Sequence, residues 1–211
     1  MRKKTIIYVK QFGEQGAPVT VRILWLPDGT IHPLEYWTPD GSCYEIRHIY
    51  ECTPQAFLKE RGEGLRFKVK SELTEMPEPD DDLLHTKYET YLYLVDDWFC
   101  GKNIIDTHYG HGNKEFIPVI LDVFPDGDYE LVYFWVKGLR YMVEKRIEIE
   151  QGGSFYAGGV GVCHKVEARQ TNANDDEDAD PYKSARRPAS LYFEINKWFV
   201  AVTPAENSKT V

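Results

Sequence analysis

A block of this sequence returns about a hundred residues later, and that recurrence limits the folds open to the chain. Leu26-Pro27-Asp28-Gly29 comes back as Phe124-Pro125-Asp126-Gly127, Tyr36-Trp37 as Phe134-Trp135, and Trp98-Phe99 as Trp198-Phe199. The offset is 98 at Pro27/Pro125 and Trp37/Trp135, 97 at Tyr44/Tyr141 and Gly64/Gly161, and 100 at Trp98/Trp198. Landmarks kept in order at near-constant spacing predict two tandem copies of one small domain, because the period is far too long for a solenoid. Copies of about 80 to 100 residues can bury a working core, but one of ~80 is marginal alone, so packing of one against the other is expected.

Within each copy the strand signals dominate. Val19 to Trp25 alternates in polarity and stops at Pro27-Asp28-Gly29, a turn signal. Further strands are predicted around Leu34 to Thr38, Cys43 to Cys52, Leu65 to Glu72 and Glu89 to Phe99. The second copy repeats the series at Pro118 to Phe124, Tyr129 to Val136, Arg140 to Glu150, Val162 to Arg169 and Ser190 to Val202. One helical turn is expected at Thr53 to Arg61, with Thr53 as N-cap, Pro54 in the first turn and Gly62 as the stop.

Short strands joined by turns too tight for crossovers predict an all-β fold of two tandem SH3-like barrels, with an OB-like barrel as the alternative. The expected organisation is an arm or edge strand over residues 1–17, a first barrel over 18–100, a linker over 101–115, a second barrel over 116–202 and a tail over 203–211.

The net charge of −9 is concentrated rather than general. Glu72, Glu75, Glu78, Asp80, Asp81 and Asp82 form one acidic segment, and Asp175, Asp176, Glu177, Asp178 and Asp180 another. Without them the chain carries about +2, so the low pI does not argue against an anionic partner. Both segments fall between the fourth and fifth strands of a copy and are expected to be mobile hairpin extensions.

No apolar run approaches the ~20 residues of a membrane-spanning helix. The apolar start, Ile6 to Val9, is shorter than the ~7 to 15 residues of a signal-peptide core. Cys43, Cys52, Cys100 and Cys163 are widely spaced, as suits reduced thiols in a cytoplasmic protein.

Nominal catalytic and ligand motifs fail on chemistry. Asp106, His108 and His111 have metal-ligating side chains, but sit in a Gly/Asn-rich linker without a second ligand group at characteristic spacing. The second acidic segment lacks the turn glycine and terminal Glu of a calcium loop. Gly158-Gly159-x-Gly161 is followed by Val162-Cys163, where a phosphate loop needs Lys-Ser/Thr. Cys163 and His164 are neighbours on a predicted strand, so they do not form a simple thiolate–imidazolium pair. No cofactor is implied.

Pro33-x-x-x-Trp37-x-x-Asp40-Gly41-x-x-Tyr44-x-Ile46, then Gly62-x-Gly64-x-Arg66-Phe67-x-Val69, Glu89-Thr90-Tyr91-Leu92-Tyr93 and Trp98-Phe99 cover nearly all of the first copy. In these motifs it resembles a family of short uncharacterised Firmicute proteins of about one copy's length. The second copy keeps Trp135, Tyr141, Gly159, Gly161 and Trp198-Phe199. It has Leu139 where the Asp-Gly turn would continue, and Ala189-Ser190-Leu191 for Glu-Thr-Tyr. The resemblance implies no activity. It hints at an accessory role in DNA repair, since some members of that family lie near genes for translesion-type DNA polymerases.

The leading expectation is a non-catalytic binding or scaffolding protein that contacts a protein or peptide through exposed aromatics, with Tyr36, Trp37, Phe134 and Trp135 as the surface. The alternative is an accessory nucleic-acid-binding protein using Arg66, Lys68, Lys70, Arg186 and Arg187 beside stacking aromatics. A hydrolase with an unrecognised site is the third class.

Overall fold

The computed structural model describes residues 6–10, 17–57, 62–78, 80–95, 114–151, 162–171, 186–194 and 197–201. These residues form strands and no helix. In chain order the strands are β1 (Ile6–Lys10), β2 (Ala17–Pro18), β3 (Thr20–Trp25), β4 (Ile31–Trp37), β5 (Cys43–Phe57), β6 (Gly62–Glu75) and β7 (Lys87–Val95). They continue as β8 (Lys114–Phe116), β9 (Val119–Val123), β10 (Tyr129–Val136), β11 (Leu139–Gln151), β12 (Val162–Thr171), β13 (Arg187–Glu194) and β14 (Lys197–Ala201).

Two compact units divide the chain, one of Met1–Ile104 with Val119–Val132, the other of Ile105–Pro118 with Tyr133–Val211. The first has the hydrogen-bonded order β2-β1-β7-β6-β5-β4-β3-β9, and the second β10-β11-β12-β13-β14-β8; β10 begins in the first and ends in the second. The sheet is antiparallel and not closed.

Strand β3 shows why these segments fold as they do. Its alternating sequence puts Val21, Ile23 and Trp25 inward at 0–1% exposure. The turn after it is set by Gly29, whose φ of 89° lets its N–H reach Leu26 O at 2.9 Å, while Asp28 accepts from Thr30 N at 2.8 Å. Gly127 repeats this after β9, at φ 87° with a 2.9 Å bond to Phe124 O and Asp126 accepting from Asp128 N at 3.0 Å. Phe67, Val69 and Leu73 from β6, and Leu92 and Leu94 from β7, complete the core of the first unit. Each such side chain contributes about 1.5–3 kcal/mol by leaving water. Val166, Leu191 and Phe193 do the same in the second unit.

Several expectations need correction. Thr53 to Phe57 is not helical: β5 runs on through it, with Thr53 opposite Arg66 and Phe57 opposite Gly62, so pairing with β6 overrides the local cap signal. Leu58 to Arg61 lie outside the described residues. The first acidic segment begins inside β6, which holds Glu72 and Glu75, and continues into a hydrogen-bonded turn. Asp80 O accepts from the N–H groups of Leu83 and Leu84, both at 3.0 Å, and His85 N donates to Leu73 O at 2.8 Å. The second acidic segment lies outside the described residues.

Strand β1 is not an edge, since it pairs with both β7 and β2. The end of the expected linker is a strand, β8, paired with β14. Ser190 to Val202 is two strands rather than one, because β13 and β14 pair with each other.

Because an L side chain at φ near 90° is strained, Gly29→Ala and Gly127→Ala should each lower unfolding free energy by about 1–2 kcal/mol. Urea denaturation of the two variants measures this.

Candidate binding face of the first unit

Bulges decide which aromatics face outward. In β4 the register slips between Arg22/Glu35 and Ile23/Pro33, leaving Leu34 as an extra residue. Simple alternation from Ile31 and Pro33 would send Trp37 inward; the slip sends Tyr36 inward instead. Tyr36 is 1% exposed, donates or accepts at Ser71 Oγ across 3.0 Å, and stacks on Tyr44 at 4.8 Å between ring centres. Phe134 is likewise 2% exposed and stacks on Tyr141 at 5.2 Å.

Tyr36 and Phe134 are therefore core residues, not a ligand surface. Trp37 is half-buried, with the Arg22 guanidinium 4.9 Å from its ring centre. Trp135 is also half-buried, and its backbone N–H donates to Pro118 O at 3.2 Å.

The basic residues fare differently. Arg66, Lys68 and Lys70 occupy alternate positions of β6, and the residues between them, Phe67 and Val69, point into the core. The three cations therefore share the outer face. Strand β7 sets Tyr93 opposite Arg66, Tyr91 opposite Lys68 and Glu89 opposite Lys70. On the other side, bulges in β5 flank Arg47 and Tyr50, and Tyr50 stands 45% exposed.

The contacts tie this face into one surface. The Arg66 guanidinium lies 5.4 Å from the Tyr91 ring centre and donates to Glu51 at 2.7 Å. Lys68 Nζ lies 5.4 Å from the Tyr50 ring centre and 3.8 Å from Glu89. Tyr50 Oη donates to Glu89 at 3.2 Å, and its ring meets His48 edge-on at 4.7 Å. Tyr50 was not among the expected residues, because only the bulges bring it level with this row. Arg186 and Arg187 belong to the second unit, where Arg186 pairs with Glu144 at 2.5 Å.

Other reactive candidates are quiet. Burial pushes the Cys163 thiol up, away from thiolate chemistry, and does the same for Cys43 and Cys52. His164 is 1% exposed and sits between Ile149 and Leu191 in the ladder. Asp106, His108 and His111, the glycines at 158, 159 and 161, and Trp98-Phe99 lie outside the described residues. Among the described residues no group of three or more His, Cys, Asp and Glu is placed to hold a metal, and no helix is long and apolar enough to cross a membrane.

No protein-family model matches the chain, and neither does any curated protein or solved structure.

The stacked tyrosines make the fold sensitive to alkali. Burial, and then the neighbouring Tyr36 and Tyr88, push the Tyr44 phenol up to about 12; burial also raises Tyr36, against the Ser71 and Thr90 hydroxyls. The folded chain therefore keeps phenol protons that the unfolded chain loses near pH ~10. Stability is complete below that pH and should fall as pH rises toward ~12. Urea midpoints measured from pH 8 to 12 should show the drop, with Tyr44→Phe flattening it.

Proposed function

We propose that this chain is an internally duplicated, non-catalytic binding protein, and that its contact surface is the outer face of β5, β6 and β7 in the first unit. The duplication is supported by irregularities as well as by motifs. The β5/β6 ladder slips between Ile46 and His48 and again between Ile49 and Glu51. The β11/β12 ladder slips between Val143 and Lys145 and between Arg146 and Glu148, each 97 residues on. Two bulges at matched positions are a stronger mark of common origin than alternation, which any half-buried strand shows.

An ion pair recurs at those positions with its sign reversed. Arg47 donates to Glu72 at 3.0 Å, while at the equivalent places Arg169 meets Glu144 at 2.9 Å. An SH3-like curl within each copy is supported for the first by β1, which pairs with β7 on one side and with β2 on the other. Strand β2 runs into β3 across Val19 alone.

The observation that carries the function is what the equivalents do not share. Ladder registers match Phe67 to His164, Val69 to Val166, Leu92 to Leu191 and Leu94 to Phe193, so buried places stay buried. Along the row, Arg66 corresponds to Cys163, which is buried, and Lys70, Tyr91 and Tyr50 correspond to Glu167, Ser190 and Ile147. Lys68 and Tyr93 keep like counterparts in Lys165 and Tyr192, but the other four members of the row belong to the first copy alone. Architecture explains what is repeated, and a partner explains a surface that is not. The polar row suits a flexible chain laid along the strands.

A photo-crosslinking amino acid at position 50 or 91 should capture a partner in cells, and the same group at positions 147 or 190 should not. Equal capture at all four would remove the reading.

A further inference from the structure

We infer that the partner laid along this face is single-stranded nucleic acid; the inference rests on the contact surface just proposed. Arg66, Lys68 and Lys70 are alternate residues of one strand, so their Cα atoms are spaced about 6.6–6.8 Å apart. That repeat is close to the separation of successive phosphates in an unstacked strand. Tyr91 and Tyr93 stand beside the row on β7, and Tyr50 on the β5 side. Rings flanking a line of cations are what a sequence-tolerant strand needs, since every base has a face to stack and every linkage a charge to neutralise.

Two of the cations already hold oxyanions, Arg66 with Glu51 at 2.7 Å and Lys68 with Glu89 at 3.8 Å. The carboxylates occupy the places a phosphate would take. They are 42% and 61% exposed, and ion pairs this open are worth little, so exchanging them for phosphate costs little. Glu51 and Glu89 then act as built-in competitors that weaken binding without blocking it. The ring–cation contacts rearrange in the same step: Lys68 leaves the Tyr50 face and Arg66 the Tyr91 face, freeing both rings for bases.

The test is fluorescence anisotropy of a labelled twelve-residue oligothymidylate with the full chain at low salt, beside a labelled polyglutamate of equal charge. Circular dichroism confirms that each variant is folded. Lys68→Gln with Lys70→Gln should weaken oligonucleotide binding and reduce its salt slope by about 0.7 per cation removed. Tyr91→Ser should weaken it about tenfold. Glu51→Gln with Glu89→Gln should tighten it, an effect that loss of folding cannot produce.

No oligonucleotide binding at low salt, or binding unchanged in all of these variants, overturns the inference. Polyglutamate bound through the row in preference to the oligonucleotide overturns the nucleic-acid assignment but keeps the surface. Neither polymer responding to changes in the row overturns both.

Discussion

The pairing of β3 with β9 is the constraint on which the first unit depends, and one ion pair fixes its register. Ile23 lies opposite Leu121, and these stand 98 apart, the offset of the Pro-Asp-Gly motifs. Under the proposed duplication these are equivalent residues and the pair has a local two-fold axis, with Val21 meeting Val123 on one side and Trp25 meeting Val119 on the other. On the inner face, a slip by two residues would still bury apolar against apolar.

The outer face forbids that slip. Arg22 Nε and Nη2 donate to the two oxygens of Asp122 at 2.7 and 2.8 Å, and Nη1 donates to Glu35 at 3.2 Å. Leu24 and Ile120 occupy the symmetric position. Slipping would set Arg22 against Ile120 and strand a half-buried carboxylate. Charge-assisted hydrogen bonds of this kind are worth about 1.5–3 kcal/mol, and their larger effect is on which pairing is allowed. Trp37 covers the guanidinium from above and keeps it from straightening into water.

Much of this was legible in the sequence, and the rest was hidden for one kind of reason. The Pro-Asp-Gly turns were visible because a positive φ demands Gly. The change of offset from 98 to 97 has a local cause: Thr38 to Ser42 joins Trp37 to Cys43, but four residues, Val136 to Leu139, join Trp135 to Arg140, around a tight turn at Lys137-Gly138. The inward place of Tyr36 was not legible, since it follows from one extra residue in the ladder with β3. The strand at Thr53 to Phe57 was not legible either, because its partner β6 outweighs a capping signal confined to nine residues. Register and bulges are properties of two strands at once, and a single segment does not display them. The row of Arg66, Lys68 and Lys70 was legible because it lies on one regular stretch of one strand. Tyr50, held level with it by two bulges, was not.

The cores carry one more difference between the proposed copies. Tyr36, Ser71 and Thr90 are each 0–1% exposed in the first unit, and their equivalents in the second are Phe134, Ala168 and Ala189. Three hydroxyls in one core face two methyls and a phenyl ring in the other. Tyr36 and Ser71 are bonded to each other at 3.0 Å, so changing either alone leaves a buried hydroxyl without its partner, at about 1–3 kcal/mol. Changed together they are nearly neutral, because no polar atom is left behind. Tyr36 and Ser71 are therefore expected to change as a pair, and that polar pair coincides with the unit whose outer face bears the cationic row. Ser71 and Thr90 lie on the two strands, β6 and β7, that present that row, and each follows or precedes a residue of it. The bond between Tyr36 and Ser71 fixes β6 beneath the row more strictly than interchangeable methyl contacts would. A row of charges spaced to match a polymer is useful only if that register does not wander.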